Sequence, residues 1–150
     1  MAETFTKIDI HCIFSTRNRT DLIDADLKKR LYARMTEIAN DDKIQVHAIG
    51  GTSDHIHMLM RMPADLPLAT ALRRIKSGSS KWHNETFRRK SRFYWHSGYA
   101  AASVSLSALE KNKEYILKQE DHHKTRSFKE EYILFLKKNG ITYNEKYLWS

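Results

Sequence analysis

This sequence has very little cysteine and no long hydrophobic run. Cys12 is the one cysteine among 150 residues, so an intramolecular disulfide is impossible and a reducing compartment is expected. No apolar run approaches the ~18 residues of a membrane span. The first residues, MAETFTKIDIHC, do not follow the basic-then-apolar order of a signal peptide. These absences argue against a secreted disulfide scaffold and a membrane protein, and they favour a cytoplasmic location.

Length and composition are those of an ordinary globular protein. At 150 residues the chain is predicted to form one domain, residues 1–150, because domains commonly hold about 100–200 residues. The sequence is 41% hydrophobic and 29% charged, which is neither a disordered nor a fibrous composition. A chain of this size can bury roughly two-thirds of its unfolded surface, so it can build a core without disulfides or metals.

Basic residues outnumber acidic ones by 26 to 18, which gives a formal net charge of +8. The excess is concentrated in one stretch, where Glu85 is the single acid among eight basic residues: Arg73, Arg74, Lys76, Lys81, Arg88, Arg89, Lys90 and Arg92. Aromatic side chains lie within this stretch or follow it: Trp82, Phe87, Phe93, Tyr94 and Trp95. Interleaved cationic and aromatic groups suit a phosphate backbone with stackable bases. A solvated basic face on a helix is the alternative interpretation.

Alternation and helical spacing predict the element order β-α-β-β-α-β. The predicted elements are a strand over 5–14, a helix over 27–40, strands over 44–48 and 54–62, a helix that opens at Pro67, and a strand within 93–104. Capping-box patterns that begin at Ser107 and Ser127 predict two further helices. This order is typical of a ferredoxin-like α+β fold, an antiparallel sheet with helices on one face, here with additional C-terminal helices. The first and third strands would then be central.

His55 and His57 are the first candidates for chemistry. They share one face of the third predicted strand, because strand side chains repeat every second residue. Both imidazoles could bind one cation, since neutral imidazole is the commonest metal ligand. Two partly exposed histidines on a polar sheet face are the simpler alternative. The other face of the strand is apolar, so we expect the histidines on an open face of the sheet.

Tyr115 and Gln119 are the second pair of candidates. They are four residues apart on the predicted helix that opens at Ser107, so their side chains would share one helix face. The Tyr115 phenol is a weak nucleophile that needs activation, and the Gln119 amide oxygen is an acceptable ligand for a hard cation. Taken alone, the pattern is explained more simply by an ordinary pair of Tyr and Gln on a helix surface.

Together these motifs resemble a known family. The similarity runs from about Phe5 to Trp149 and is to the single-tyrosine HUH transposases of the smallest insertion sequences, a group that includes the REP-associated tyrosine transposases. The segments that carry it, in order and at the expected spacing, are HCIFSTRNR, GGTSDHIHMLM, RRIKSGSSKW, GYAAASVS, EYILKQEDHH and FKEEYILFLKKNGI. The H-x-H strand and the Y-x-x-x-Q helix make the resemblance specific.

The resemblance implies a site and a reaction. His55, His57 and Gln119 would bind a divalent cation, Mg²⁺ or Mn²⁺, and Tyr115 would be the nucleophile. The family cuts and rejoins single-stranded DNA beside a hairpin at the element's ends, through a 5′-phosphotyrosine intermediate. Its members are prokaryotic proteins that act on nucleoid DNA, typically as homodimers. The predicted DNA contacts of this chain are Arg19, Arg73, Arg74, Lys76 and Lys81.

Two other functions remain open on the sequence. A metal-dependent nuclease or phosphodiesterase would use the same H-x-H pair to activate water, with Tyr115 dispensable. A non-catalytic nucleic-acid-binding module of ferredoxin-like fold would need aromatic side chains on its central strands, where this sequence has histidines. Other polar residues are predicted to play structural parts: Asp54 beside the site, His11 and His47 at ordinary sheet positions, and His122 and His123 at a helix end.

Overall fold

A computed structural model of the chain describes residues 2–88 and 92–149. Its centre is a four-stranded antiparallel sheet with the strand order β2-β3-β1-β4. The strands are β1 (Ile8–Ser15), β2 (Gln45–Gly51), β3 (His55–Met62) and β4 (Ala100–Ser103). The helices are α1 (Ala25–Asp41), α2 (Leu68–Phe87), α3 (Leu109–Leu117), α4 (Gln119–His122), α5 (Phe128–Lys138) and α6 (Glu145–Leu148). The predicted ferredoxin-like α+β fold is confirmed, with β1 and β3 as the central strands.

One face of the sheet forms the main hydrophobic core. Alternate residues of the central strands, such as Cys12, Ile56 and Met58, point into it and are fully buried. Helices α1 and α2 cover this face with apolar side chains at helical spacing, including Leu31 and Ile75. The Asp24 carboxylate caps α1 by accepting a hydrogen bond of 2.8 Å from the Leu27 amide. The sequence-based interpretation of this face is therefore correct.

The opposite face of the sheet is also covered, contrary to the open face that the sequence predicted. Ile116 of α3 packs against Leu59 and Ala48 in a second, smaller apolar cluster. His55 and His57 lie on this face and have no exposed surface. The expectation that they occupy an open face is therefore wrong. The C-terminal helices supply apolar and acidic side chains that the period of β3 alone does not reveal.

The two predicted capping boxes have different outcomes. The Ser127 hydroxyl accepts a hydrogen bond of 3.2 Å from the Glu130 amide at the start of α5, as predicted. Ser107 instead lies in a short 3₁₀ turn, and α3 begins after it at Leu109. Helix α3 ends at Leu117, and α4 begins at Gln119. Tyr115 and Gln119 therefore stand on two consecutive helical segments rather than on one continuous helix.

Two of the basic residues counted in the sequence, Arg89 and Lys90, lie outside the described residues. Within the described part, α2 runs without interruption from Leu68 to Phe87. The segment after residue 91 returns to the sheet through an isolated bridge between Thr16 and Trp95 and then forms β4. Among the described residues, no helix combines the length and the apolar composition that crossing a bilayer requires.

Gly50 sets the distance between the sheet and α3. It is paired with His57 across β2 and β3, and a Cβ atom built on it would lie 1.9 Å from the Ile116 carbonyl oxygen. Any side chain at this position would therefore collide with the backbone of the helix that carries Tyr115. The glycine allows α3 to approach the sheet closely.

We predict that Gly50→Ala lowers the free energy of unfolding by about 2–3 kcal/mol, because an overpacked contact with backbone cannot relax by a rotamer change. Chemical denaturation measures the change. Gly78→Ala in α2 is the matched control, since its Cβ would meet the Ile38 side chain, whose nearest atom is the terminal Cδ1, and alanine favours a helix. A loss in Gly50→Ala no larger than that in Gly78→Ala would contradict the close approach.

Candidate metal and nucleophile site

Three segments of the chain meet on the face of the sheet that α3 covers. Strand β3 contributes His55 and His57, the start of α4 contributes Gln119, and the first turn of α5 contributes Glu131. All four residues are buried, with at most 3% of the surface of any one of them exposed. A buried cluster of this polarity needs internal partners for each of its polar atoms. The hydrogen bonds among these residues provide those partners.

The Glu131 carboxylate is the centre of the cluster. Its Oε1 atom lies 3.0 Å from His57 Nε2 and 3.4 Å from His55 Nε2. His123 Nε2, from the end of α4, lies 2.9 Å from the same oxygen. The other oxygen, Oε2, accepts a hydrogen bond of 3.1 Å from the Gln119 side-chain amide and another from the Tyr115 hydroxyl. One carboxylate thus joins both predicted motifs.

Each histidine of the H-x-H pair is held from behind through its Nδ1 atom. His55 Nδ1 lies 2.8 Å from the Asp54 carboxylate, and His57 Nδ1 lies 2.8 Å from His11 Nε2. A carboxylate can only accept a hydrogen bond, so His55 Nδ1 carries a proton and Nε2 is directed towards the cluster. This arrangement is typical of histidines that bind metals. Asp54 therefore has the supporting place predicted for it, whereas His11 does more than occupy an ordinary sheet position.

Burial and charge shift the ionisation of the cluster in opposing ways. Burial alone would lower the pKa of His55, but hydrogen bonds to Asp54 and Glu131 outweigh it and raise that pKa. For His57 burial prevails and lowers the pKa. Burial and the neighbouring His57 lower the pKa of His11 to about 3, so this imidazole is neutral. Burial would raise the pKa of the Glu131 carboxyl, but the hydrogen bonds from the two histidines hold it below its usual range.

Tyr115 is positioned by contacts on both sides of its ring. Its hydroxyl donates a hydrogen bond to Glu131, and its ring stacks on His122 with centroids 4.4 Å apart and planes inclined by 26°. Burial, followed by the hydrogen bond and the negative charge of Glu131, raises the pKa of the phenol. The phenol is therefore protonated at neutral pH and needs a neighbouring positive charge to become a nucleophile.

The donor atoms fit a divalent cation. His55, His57 and Glu131 each offer one ligand atom, and the three atoms lie within 4.8 Å of one another. The Gln119 amide oxygen lies 3.2 Å from His55 Nε2, so the predicted amide ligand also faces the cluster. Two imidazoles with carboxylate and amide oxygens suit Mn²⁺, Mg²⁺ and Zn²⁺ by ligand type. Replacing His57 by alanine would remove the hydrogen-bond partner of His11 Nε2 and one of the partners of Glu131 Oε1, so this change would affect folding as well as binding.

Sequence reasoning missed Glu131 and assigned His123 a structural part at a helix end. An acid in the first turn of a helix is usually explained by the helix dipole, and Glu130 beside it is exposed and has that explanation. The available signal was the position of Glu131 one turn before Phe135 on the apolar side of α5. That signal indicates burial, but it does not indicate which partners the carboxylate meets.

The predicted DNA contacts differ in their surroundings. Arg73 and Lys81 of α2 and Arg19 are exposed, and the Arg19 guanidinium lies 5.7 Å from the centroid of the Trp149 ring. Arg74 forms an ion pair of 2.8 Å with Asp42. Lys76 donates a hydrogen bond of 2.6 Å from Nζ to the His96 carbonyl oxygen, and burial lowers its pKa to about 8. Lys76 thus makes a structural contact within the protein, in addition to the DNA contact predicted for it.

A groove of about 360 Å³ runs between α2 and the segment before β4. Arg73 and Lys76 line it together with the aromatic rings of Tyr94, Trp95 and Tyr99. Two of these rings are partly exposed, Tyr94 at 40% and Tyr99 at 37%. The groove therefore combines cationic and aromatic groups, as the sequence pattern indicated.

Comparisons with known proteins agree with this fold. The sequence profile of the family described as "Transposase IS200 like" matches residues 4–119. Among solved structures, a candidate transposase from Deinococcus radiodurans R1 superposes with a TM-score of 0.65 at 17% identity, covering 77% of this chain and 93% of that one. A REP-associated tyrosine transposase bound to a REP hairpin gives a TM-score of 0.61 at 15% identity, covering 82% of this chain and 73% of that one. No curated protein sequence matches.

The match spans most of the chain, so the protein belongs to the IS200-like transposase family. Membership makes it a DNA transposase by class, an enzyme of DNA recombination. The two solved structures share the fold of this chain at low sequence identity. The buried group of His55, His57 and Glu131 could hold a metal ion; the resemblance to HUH transposases implied a cation at the two histidines but not Glu131 beside them.

Proposed function

We propose that this transposase cuts and rejoins single-stranded DNA at hairpin-marked ends through a 5′-phosphotyrosine on Tyr115. One observation carries the proposal: the Tyr115 hydroxyl and the Nε2 atoms of His55 and His57 converge on the same buried carboxylate of Glu131. The proposed nucleophile and the proposed histidine ligands are thus separated only by the Glu131 side chain, which contacts all three. Neither rival function requires the tyrosine at that place.

The reaction is a transesterification at phosphorus. The Tyr115 oxygen loses its proton and forms a bond to the scissile phosphorus, while the bond from phosphorus to the 3′ oxygen breaks and that oxygen takes up a proton. The cut 5′ end remains attached to the protein. A later 3′-hydroxyl attacks the phosphotyrosine, and the Tyr115 oxygen leaves and regains its proton. The covalent bond conserves the energy of the cleaved linkage, so rejoining needs no nucleotide cofactor.

His55, His57 and Gln119 are the proposed ligands of the cation, which we take to be Mg²⁺ or Mn²⁺. When bound, the cation would polarise the scissile phosphate and offset the negative charge that develops on it. The chain's own contribution is orientation. Asp54 and His11 fix the two imidazole rings from behind, and Glu131 with His122 fixes the phenol. Preorganised groups of this kind lower the entropic cost of the reaction.

The DNA-binding surface is proposed to include α2 and the groove beside it. Arg73 and Lys81 are exposed on this helix, and Tyr94 and Tyr99 offer partly exposed rings for stacking. Arg19, Arg74 and Lys76 complete the proposed set of basic contacts. A similar fold in a protein bound to a REP hairpin supports a DNA hairpin as the partner.

Tyr115→Phe should abolish cleavage and covalent attachment while keeping hairpin binding, because it removes one oxygen and leaves the ring stacked on His122. Wild-type protein incubated with a single-stranded hairpin substrate and Mn²⁺ should give a protein–DNA band that resists boiling in detergent. The Phe variant should give none. Denaturing electrophoresis with labelled DNA measures both products, and gel shift measures binding.

Tyr32→Phe is the matched control, because Tyr32 is a half-buried tyrosine on α1, which packs on the other face of the sheet. This variant should form the adduct at the wild-type level. Cleavage by Tyr115→Phe without an adduct in either protein would instead establish the water-activating nuclease. If the wild type and both variants bind the hairpin DNA but none of them cleaves it, the non-catalytic module would be favoured.

DNA binding should depend strongly on salt, because phosphate contacts release counterions. Arg73→Gln and Lys81→Gln should each reduce the magnitude of the log–log slope of affinity against salt by about 1. Lys29→Gln, at an exposed position of α1, is the control and should leave the slope unchanged. Fluorescence anisotropy with a labelled hairpin at several salt concentrations measures the slopes. Equal slopes for all four proteins would place the DNA surface elsewhere.

We further propose that residues 1–150 act as one domain in the cytoplasm, on nucleoid DNA, and as a homodimer. β2 and β4 lie at the outer edges of the described sheet, and such edges can pair with a second copy. Sedimentation equilibrium at micromolar concentration should give about twice the 17.7 kDa mass of one chain. A single 17.7 kDa species across that range would refute the dimer.

A further inference from the structure

We propose that Glu131 is itself a ligand of the divalent cation, through Oε1, and that its Oε2 at the same time holds the Tyr115 hydroxyl. This inference deepens the proposed function, because it adds a carboxylate to a site otherwise made of two imidazoles and an amide. It also assigns a reason for the convergence of both motifs on one side chain.

The distances around Oε1 are those between neighbouring ligands of one metal ion. Oε1 lies 3.0 Å from His57 Nε2 and 3.4 Å from His55 Nε2. Ligand atoms at about 2.0–2.2 Å from a metal stand roughly 3.0 Å apart in an octahedron and roughly 3.4 Å apart in a tetrahedron. The three donor atoms therefore need little movement to surround a cation.

Charge leads to the same assignment. Two neutral imidazoles and the Gln119 amide would leave a buried divalent cation without a negative ligand, which is costly in a site removed from water. Glu131 is 3% exposed, and among the described residues it is the acid whose oxygen approaches the Nε2 atoms of both His55 and His57. Conversely, a buried carboxylate needs positive partners, and a bound cation supplies them.

The second oxygen of the same carboxylate connects the cation to the nucleophile. Oε2 accepts hydrogen bonds from the Tyr115 hydroxyl and from Gln119 Nε2, and these bonds are compatible with ligation through Oε1. Glu131 lies in α5, beyond the matched residues 4–119. Helix α5 would thereby complete a site whose other parts come from β3, α3 and α4.

The test measures Mn²⁺ affinity of the DNA-free protein by isothermal titration calorimetry. Glu131→Gln keeps the size of the side chain and removes its charge, so it should weaken Mn²⁺ binding at least about tenfold. Glu130→Gln changes the exposed neighbour in the same helical turn and should leave the affinity within about twofold. Tyr115→Phe should also bind Mn²⁺ nearly as well as wild type. Circular dichroism checks that each variant is folded.

Unchanged or tighter binding by Glu131→Gln would overturn the proposal, and tighter binding would identify Glu131 as a competitor that blocks the site. If Glu131→Gln fails to fold, a second measurement on the wild-type protein tests the same proposal. In wild-type crystals soaked in Mn²⁺, anomalous scattering should place the ion about 2.0–2.2 Å from Glu131 Oε1 and both Nε2 atoms; an ion bound by the histidines with Glu131 turned away would refute the assignment. Neither measurement involves DNA, so a failure of the Glu131 assignment is distinguishable from a failure of the proposed transesterification.

Discussion

The buried carboxylate of Glu131 and the imidazoles around it form the interaction on which the site depends. Burying a negative charge without partners would cost several kcal/mol, so α5 can pack in its place only if the histidines of β3 meet it. The same requirement applies in reverse to His55 and His57, whose Nε2 atoms would otherwise be buried without an acceptor or a cation. Sheet and C-terminal helix are therefore fixed to each other by polar contacts rather than by apolar area alone.

The rest of the fold makes this contact possible. A central position in the sheet keeps β3 rigid, with β1 and β2 hydrogen-bonded on either side. Because Gly50 has no side chain, the backbone of α3 can pack directly against the backbone of β2. This close approach brings Tyr115 next to the histidines. Rigid elements hold reacting groups more precisely than loops do.

The sequence predicted the parts of this arrangement that follow from local periodicity. Strand alternation was sufficient to place His55 and His57 on one face. Helical spacing indicated that Tyr115 and Gln119 lie near each other, although the structure divides the predicted helix into α3 and α4 between them. The sequence did not predict that the face of the histidines is buried, because the covering helices are distant in sequence and their packing is a tertiary property. Glu131 was missed for the same reason: an acid in the first turn of a helix looks identical whether it faces water or a histidine pair.

Direct mapping of the covalent product tests the central claim, that Tyr115 is the nucleophile beside the cation. Wild-type protein would be trapped with single-stranded hairpin DNA and Mn²⁺, digested with nuclease and trypsin, and analysed by tandem mass spectrometry. The peptide Glu114–Lys118, in which Tyr115 is the single tyrosine, should carry a nucleotide through a phosphodiester on its phenolic oxygen. A nucleotide attached to another residue, or cleaved DNA with every peptide unmodified, would contradict the account.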